Sequence, residues 1–408
     1  MALVSASACD GPSGPQPPSD TQFLAGAVSF YRASRNDRGL YRDRLRFDGT
    51  PEGPASVATT GMGLISLCIA GRLGMNEQAT EHAKTTVRTL LDIGHARNAS
   101  GFYYHFVDME TGSRAGNSEY SSIDTAILMS GALFVASCLA GDNALDSLVL
   151  ELWDSIDWSQ AIADPQTGAI YLEMLDDGSG KPGALTLPFN EYMLVAWLAK
   201  LADASGTGPA TDLWERFYAS ADSLPTSSFA GHAVLTDRPG AFLSSFVIQF
   251  AYYLCHPFTT NERYRAFFRS ARLADRTWWQ STGAADYEWG LGAGSSPSAG
   301  YHADAIDNNP DRVVSPHIVA GFLPVDSGAM RDLATLYGST SRAVRSIGGA
   351  DGNILWRYSV SHPSWVPAEI QGIDYSSMML GLATYLFGSA FLEEHNDFEA
   401  RLAVRVGG

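Results

Sequence analysis

The sequence is short of positive charge: 27 Lys and Arg stand against 44 Asp and Glu, a net charge of -17. No cluster of Lys or Arg forms the stripe that a phosphate backbone requires, which argues against nucleic acid as a partner. The loops carry few arginines, chiefly Arg114, Arg312 and Arg357, so a polyanionic substrate would find little to neutralise it. Cysteine is scarce as well. Cys9, Cys68, Cys138 and Cys255 fit neither a metal motif nor a disulfide scaffold, and the last three lie in apolar runs, where a free thiol behaves as a small hydrophobe. The nine histidines make no H-x-x-x-H or H-x-H pair and no Cys-x-x-Cys occurs, so no metal site is expected. Neither G-x-x-x-x-G-K-[ST] nor G-x-S-x-G is present, and no organic cofactor is expected. No later apolar run reaches the roughly 20 residues of a transmembrane helix without a polar interruption.

What is present is a large apolar fraction, 45% of 408 residues, enough for a substantial core. The opening "ALVSASACDG" resembles the tail of an export signal, and "GPSGPQPPSD" follows as a flexible or polyproline tether. Residues 1–18 are therefore read as signal remnant and tether, with Cys9 a candidate for lipid attachment, and 19–408 as one domain. A chance Ser/Ala-rich terminus is the competing reading. The first reading implies a secreted or periplasmic protein, a lipoprotein if Cys9 is acylated.

Helical periodicity recurs at about 19–35, 54–74, 76–96, 118–140, 143–155, 188–204, 209–222, 241–255, 260–282, 314–323, 326–339 and 373–395. Helices that are apolar nearly all round, such as "GPASVATTGMGLISLCIAGRLG", alternate with amphipathic ones. That alternation predicts an all-α fold, a toroid of helical hairpins with an inner ring inside an outer one. Four long loops, rich in Gly, Pro and Asp and studded with Trp, Tyr and His, precede apolar helices and would gather at one end. Short β-hairpins are expected in "GFYYHFVDMETGSRAG" and in "DPQTGAIYLEML". The aromatics, 9 Trp and 17 Tyr among them, read either as ordinary packing or as stacking platforms for a neutral, hydroxyl-rich ligand such as a sugar.

Four acids sit near helix starts after such loops: Glu119 and Asp124 around "YSSI", Glu191 in "LPFNEYMLVAWLA", and Asp374 in "IQGIDYSSMMLGLA". Helix N-termini favour carboxylates, so capping explains any one of them. Asp124 is the hardest to explain that way, because a helix opening near Ser118 places it in the second turn among apolar neighbours. Two carboxylates from different helices facing one cavity are what glycoside hydrolysis requires, one kept protonated and one ionised. Burial beside Phe189, Tyr192 and Trp197 would raise the pKa of Glu191 and suit it to the acid role.

The stretch "GFYYHFVDMETGSRAGNSEYSSIDTAILMSGAL" resembles the "G-F-x-Y-H-F-x-D … N-S-E-x-S-x-I-D-T-A-L-L" signature of the glucoamylase-like bacterial proteins grouped around glycoside hydrolase family 144. In the same order, "LPFNEYMLVAWLA" is similar to their "Y-N-E-x-M", "YEWGLGAGSSPSAGYHA" to their "W-G-L-T-A…G-Y", "VVSPHIVAGFLPV" to their "I-A-P-x-A", and "IQGIDYSSMMLGLATYLFG" to their "G-I-D-x-G". The resemblance spans about residues 100–390. It implies an (α/α)6 toroid acting on β-1,2-glucan, with Glu191 as acid and Asp374 or Asp124 as base, by an inverting, endo-acting and monomeric enzyme. In one scheme described for related enzymes a substrate hydroxyl relays the proton. The aromatic loops then supply sugar contacts from Tyr104, His105, Glu119, Tyr192, Trp289, Tyr301, His302, His317 and Trp365. The chain also departs from the pattern. The histidines of the family's "F-G-H-Q-Y-S-H" helix are missing from "GAFLSSFVIQFAYYL", "D-A-F-N" is missing from the last loop, and Gly292 replaces a threonine, so the subsites differ. Another glucan hydrolase, a transglycosylase or a tethered, non-catalytic sugar-binding protein are the alternatives.

Overall fold

The computed structural model describes residues 17–50, 53–339, 342–348, 352–398 and 402; Cys9 and most of the expected tether lie outside them. The first half of the chain carries α1 (Asp20–Ser34), α2 (Val57–Arg72), α3 (Ala79–Asp92), α4 (Ser122–Cys138), α5 (Asn143–Asp154), α6 (Met193–Ala202) and α7 (Pro209–Leu213). The second half carries α8 (Ser245–Leu254), α9 (His256–Thr260), α10 (Glu262–Ser281), α11 (Pro316–Gly321), α12 (Ala329–Ser339), α13 (Gly372–Phe387) and α14 (Ala390–Asn396). The strands are two to four residues long and form small paired ribbons, so the fold is predominantly helical.

Burial sorts the helices into two kinds. In α2 every residue from Val57 to Ala70 is buried, in α4 every residue from Asp124 to Ala136, and in α13 every residue from Asp374 to Thr384. By contrast, α3 and α10 bury one stripe, as with Tyr264, Phe267, Phe268, Ala271 and Ala274, and turn charged residues outward. The enclosed helices touch in sequence: α2 packs on α4, α4 on α6, α6 on α8, α8 on α11, α11 on α13, and α13 back on α2. The amphipathic ones cover them, with α3 on α2, α5 on α4, α10 on α8 and α12 on α11. One hydrophobic cluster runs from Phe23 to Leu402.

Several elements differ from the periodicity. The expected 188–204 helix begins only at Met193, and 209–222 resolves into α7 followed by a π turn at Trp214–Tyr218. The 373–395 segment breaks at Gly388, whose φ of 86° ends α13. The fourth helix opens at Ser122 rather than near Ser118, because Tyr120–Ser121 pairs with Glu173–Met174 as a strand. Asp124 therefore occupies the first turn, its amide bonded to the Ser121 hydroxyl at 3.2 Å. Both hairpin segments form ribbons: Ile162–Asp164 pairs with Ala169–Tyr171, while Phe106–Val107 pairs with Ala55–Ser56 and Val107 also bridges Arg114.

The cysteine expectation is corrected. Cys68 on α2 and Cys138 on α4 form a disulfide, their Cα atoms 5.9 Å apart, while Cys255 is a buried free thiol. The pair sits across the most extensive helix packing among the described elements, so apolar surroundings conceal a cross-link as readily as they house a thiol. A bridge closing 70 residues stabilises by about 4 kcal/mol through loop-closure entropy.

The close approach of α2 and α4 rests on glycine. A Cβ at Gly131 would collide with the Gly61 carbonyl, and one at Gly61 would meet the Ile127 carbonyl and Leu128 Cα. Among the described residues no single helix is long and apolar enough to cross a membrane. Gly131→Ala is expected to destabilise the protein by about 2 kcal/mol or more, read as a lower melting temperature. Ser147→Ala on the exposed side of α5 serves as the control and should stay within about 0.5 kcal/mol.

Candidate active site

Backbone bonds stitch together the loops that precede the enclosed helices. Val57 N–H donates to the His105 carbonyl at 3.1 Å, His105 N–H to the Glu119 carbonyl at 2.9 Å, and Gly372 N–H to the Asp43 carbonyl at 2.7 Å. These bonds bring the entries of α2, α4 and α13 side by side, and with them the acids.

His105 is central to one half of the site. Its Nδ1 lies 3.0 Å from Glu119 Oε1, its Nε2 lies 3.5 Å from Asp124 Oδ1, and its ring stacks on Phe106 with centroids 3.7 Å apart. Burial alone would lower the pKa of this imidazole, but Asp124, Glu119 and Asp43 together push it up to about 9, so it is a cation at neutral pH. The hydrogen bond from His105 in turn holds Glu119 below the usual carboxylate range. Asp124, only 8% exposed, is pushed up by burial and pulled back by His105 and the Ser121 hydroxyl.

Glu191 stands in a turn fixed by Asn190, whose side chain donates to the Leu187 carbonyl at 3.0 Å and accepts from the Tyr192 amide at 3.0 Å. Burial raises the pKa of Glu191, and the charge of Asp124 pushes the same way. Its neighbour Tyr192 is buried against it and shifted upward by desolvation and then by Glu191. Both influences favour the protonated form of Glu191 over what it would have in water, the direction a general acid needs.

Asp374, 2% exposed, lies in the first turn of α13. The Tyr301 hydroxyl donates to its Oδ1 at 3.1 Å, while Oδ2 has no partner among the described residues. Burial pushes its pKa up to about 7, against the opposing pull of Arg357 and Tyr301. Arg357 is fully buried and pairs with Asp304, which also bonds His302 Nδ1 at 2.8 Å.

The structure thus brings Glu119, His105, Asp124, Glu191, Tyr192, Tyr301 and Asp374 into one electrostatically connected region, with His302 one step behind through Asp304. Tyr104 stacks on Tyr120, centroids 3.9 Å apart, along a neighbouring groove of about 190 Å³ lined also by Glu119, Glu173 and Lys181. Trp365 is half-buried in the turn before Pro367, where its amide bonds the His362 carbonyl. Two expectations are corrected by burial. Trp289 is fully enclosed, donates to Asp332 at 2.8 Å and stacks on Phe322, so it offers no face to a sugar. His317 is also fully enclosed, stacked on Trp356 with centroids 4.8 Å apart and held neutral by burial and Arg357.

Sequence reasoning missed Asp43 and the buried state of Arg357 and Asp304. Asp43 couples to both Asp124 and Asp374, and burial pushes it up to about 6. Placed between Arg42 and Arg44, it reads in sequence as an ordinary surface acid. No three His, Cys, Asp or Glu side chains among the described residues cluster as metal ligands.

No protein-family model and no curated protein matches the chain. Solved structures do. An endo-β-1,2-glucanase from Chitinophaga pinensis, in complex with sophorotriose and glucose, superimposes with a TM-score of 0.78 at 16% identity over 95% of this chain and 96% of that one. The fold is that of an endo-β-1,2-glucanase. A β-1,2-glucanase from Parabacteroides distasonis gives 0.76 at 15% identity, over 96% of this chain and 60% of that one. A variant endo-β-1,2-glucanase from Talaromyces funiculosus, with β-1,2-glucan bound, gives 0.64 at 14% identity over 95% and 91%. At these identities the glucanase fold is what is shared.

Two titrations follow from the geometry. A His105 pKa raised from 6.5 to about 9 adds stability that is fully present below about pH 6.5 and lost as pH rises through 9. His105→Gln should therefore flatten the fall in melting temperature between pH 6.5 and 9. Asp374, raised from 3.8 to about 7, acts in the same direction over a lower range: the unfolded chain releases this proton first, so stability drops across pH 4–7 and stays lower above. Asp374→Asn should be more stable than wild type at pH 8 by about 1–3 kcal/mol, with no gain at pH 3.

Proposed function

We propose that the chain is a glycoside hydrolase cleaving β-1,2-glucan, with Glu191 as general acid and Asp374 as general base. The observation that carries this reading is the contrast between the two carboxyl groups. Glu191 is raised by burial with no cation in contact among the described residues, whereas the upward push of burial on Asp374 is opposed by Arg357 and a tyrosine hydroxyl. Shared architecture with enzymes solved in complex with sophorotriose or β-1,2-glucan supplies the substrate class. The ring of enclosed helices is read as the inner half of an (α/α)6 toroid whose mouth holds the acids.

In this mechanism the Glu191 proton passes to the glycosidic oxygen as the bond to the anomeric carbon breaks. Asp374 draws a proton from the attacking water, directly or relayed through a sugar hydroxyl, so that the anomer inverts. Tyr301 shares the base with the incoming hydroxyl, and the Asp124–His105–Glu119 group orients the sugar at the cleavage point. Tyr104 and Tyr120 extend the binding surface along the adjoining groove. We read the enzyme as an endo-acting monomer, secreted or periplasmic; the disulfide suits an oxidising compartment, and the small residues before Cys9 suit export.

Incubation with linear and cyclic β-1,2-glucan, beside β-1,3-, β-1,4- and α-glucans, tests the reading. Short oligosaccharides are expected from the β-1,2 substrates alone, with Glu191→Gln slower by about 10²–10⁴-fold. Undiminished turnover by Glu191→Gln overturns the acid assignment, and cleavage of a different glucan overturns the substrate.

A further inference from the structure

A second cavity, of about 180 Å³, lies between α1, α2 and α3, lined by Val28, Arg35, Tyr41, Leu67, Ala70 and Met75. It faces the C-terminal half of α2, whereas the acids gather at the N-terminal ends of the enclosed helices. The volume has room for several waters or one small organic molecule.

Its polar equipment is unbalanced. Arg35 has no carboxylate within 4 Å among the described residues; its one hydrogen bond is a long 3.4 Å contact to the His82 carbonyl, and its Nε is buried without a partner. Tyr41 is fully buried, and its hydroxyl closes no hydrogen bond although Arg35 and Ser66 face it. The other polar groups are occupied. Ser66 donates to the Gly63 carbonyl at 2.6 Å, Asn36 to the Met109 carbonyl at 2.6 Å, and the Asn76 amide contacts His82 Nδ1 at 3.0 Å. The Tyr41 hydroxyl and the Nε of the half-buried Arg35 are therefore left without a hydrogen-bond partner among the described residues, above an apolar floor. Arg32 and Asp37 stand at the rim with opposite charges. The Tyr41 ring packs against Gly63, where a Cβ would collide with it, so that face is closed to a sugar.

We propose that this cavity is a binding site for a small organic carboxylate with a short apolar body. The carboxylate would take the Arg35 guanidinium and the Tyr41 hydroxyl, and the hydrocarbon would lie on Val28, Leu67, Ala70 and Met75. The site is independent of the glucanase reading, and its test needs no activity.

Ligand-observed NMR and thermal melts of the full chain at pH 7 would use butyrate and benzoate, with butyramide, inorganic phosphate and sophorose as comparisons. The two carboxylates should bind saturably and raise the melting temperature. Tyr41→Phe, which keeps the ring, and Arg35→Met should each weaken binding about tenfold or more. A ligand-free melt near that of wild type would show that each variant folds, and either variant alone suffices. Equal binding of butyramide, preference for phosphate or sophorose, unchanged affinity in a folded variant, or no saturable binding would each overturn the proposal.

Discussion

Six carboxylates, Asp43, Glu119, Asp124, Glu191, Asp304 and Asp374, gather near the entries of the enclosed helices with two cations, His105 and Arg357, and the character of the site follows from that imbalance. His105 is placed between Glu119 and Asp124, and Arg357 is committed to Asp304 while acting on Asp374 from behind. Among the described residues Glu191 and Asp43 form no ion pair, and burial outweighs the pull of His105 and Arg44 on Asp43, so both protons are held more tightly than in water. One fold thus produces acids of different strength within a single region. The cost falls on stability: desolvated carboxyl groups are tolerated because the surrounding helices are buried almost throughout.

Much of this was legible in the sequence, and for a physical reason. A carboxylate among apolar neighbours conflicts with its surroundings, and that conflict singled out Asp124, while Glu191 and Asp374 stood out by their place after aromatic loops and by the family resemblance. The helix order was legible too, because enclosed and amphipathic helices differ in periodicity. Loop burial was not. Asp43 between two arginines and Arg357 in a polar loop look solvated, yet the loops fold inward, burying Arg357 fully and Asp43 in part. Trp289 erred in the other direction: an indole beside glycines resembles an exposed platform, but Asp332 offers its N–H a partner inside. Pairing of Cys68 with Cys138 depends on the rotational register of two packed helices, which composition does not encode.

The departure at Gly292 has a local explanation. A Cβ there would lie 2.6 Å from His317 Nε2 and equally close to Ile318, so the missing threonine side chain and the buried histidine occupy the same space. His317 stacks on Trp356, which in turn packs edge-on against Tyr375, next to Asp374. The two positions form one packing unit behind the region of the base, and a difference in either one is felt by the other.

The seam where the ring closes sets an order of events during synthesis. The Tyr31 hydroxyl bonds the Gly372 carbonyl at 2.7 Å across 341 residues, and α13 packs on both α1 and α2. Until Gly372–Phe387 has left the ribosome, α1 and α2 have no α13 to cover their apolar surfaces, and Asp374 has not joined the other acids. A nascent chain therefore carries open apolar faces until α13 has emerged and docked. Until then the ring stays open, and Asp43 and Asp374 have not come under each other's field.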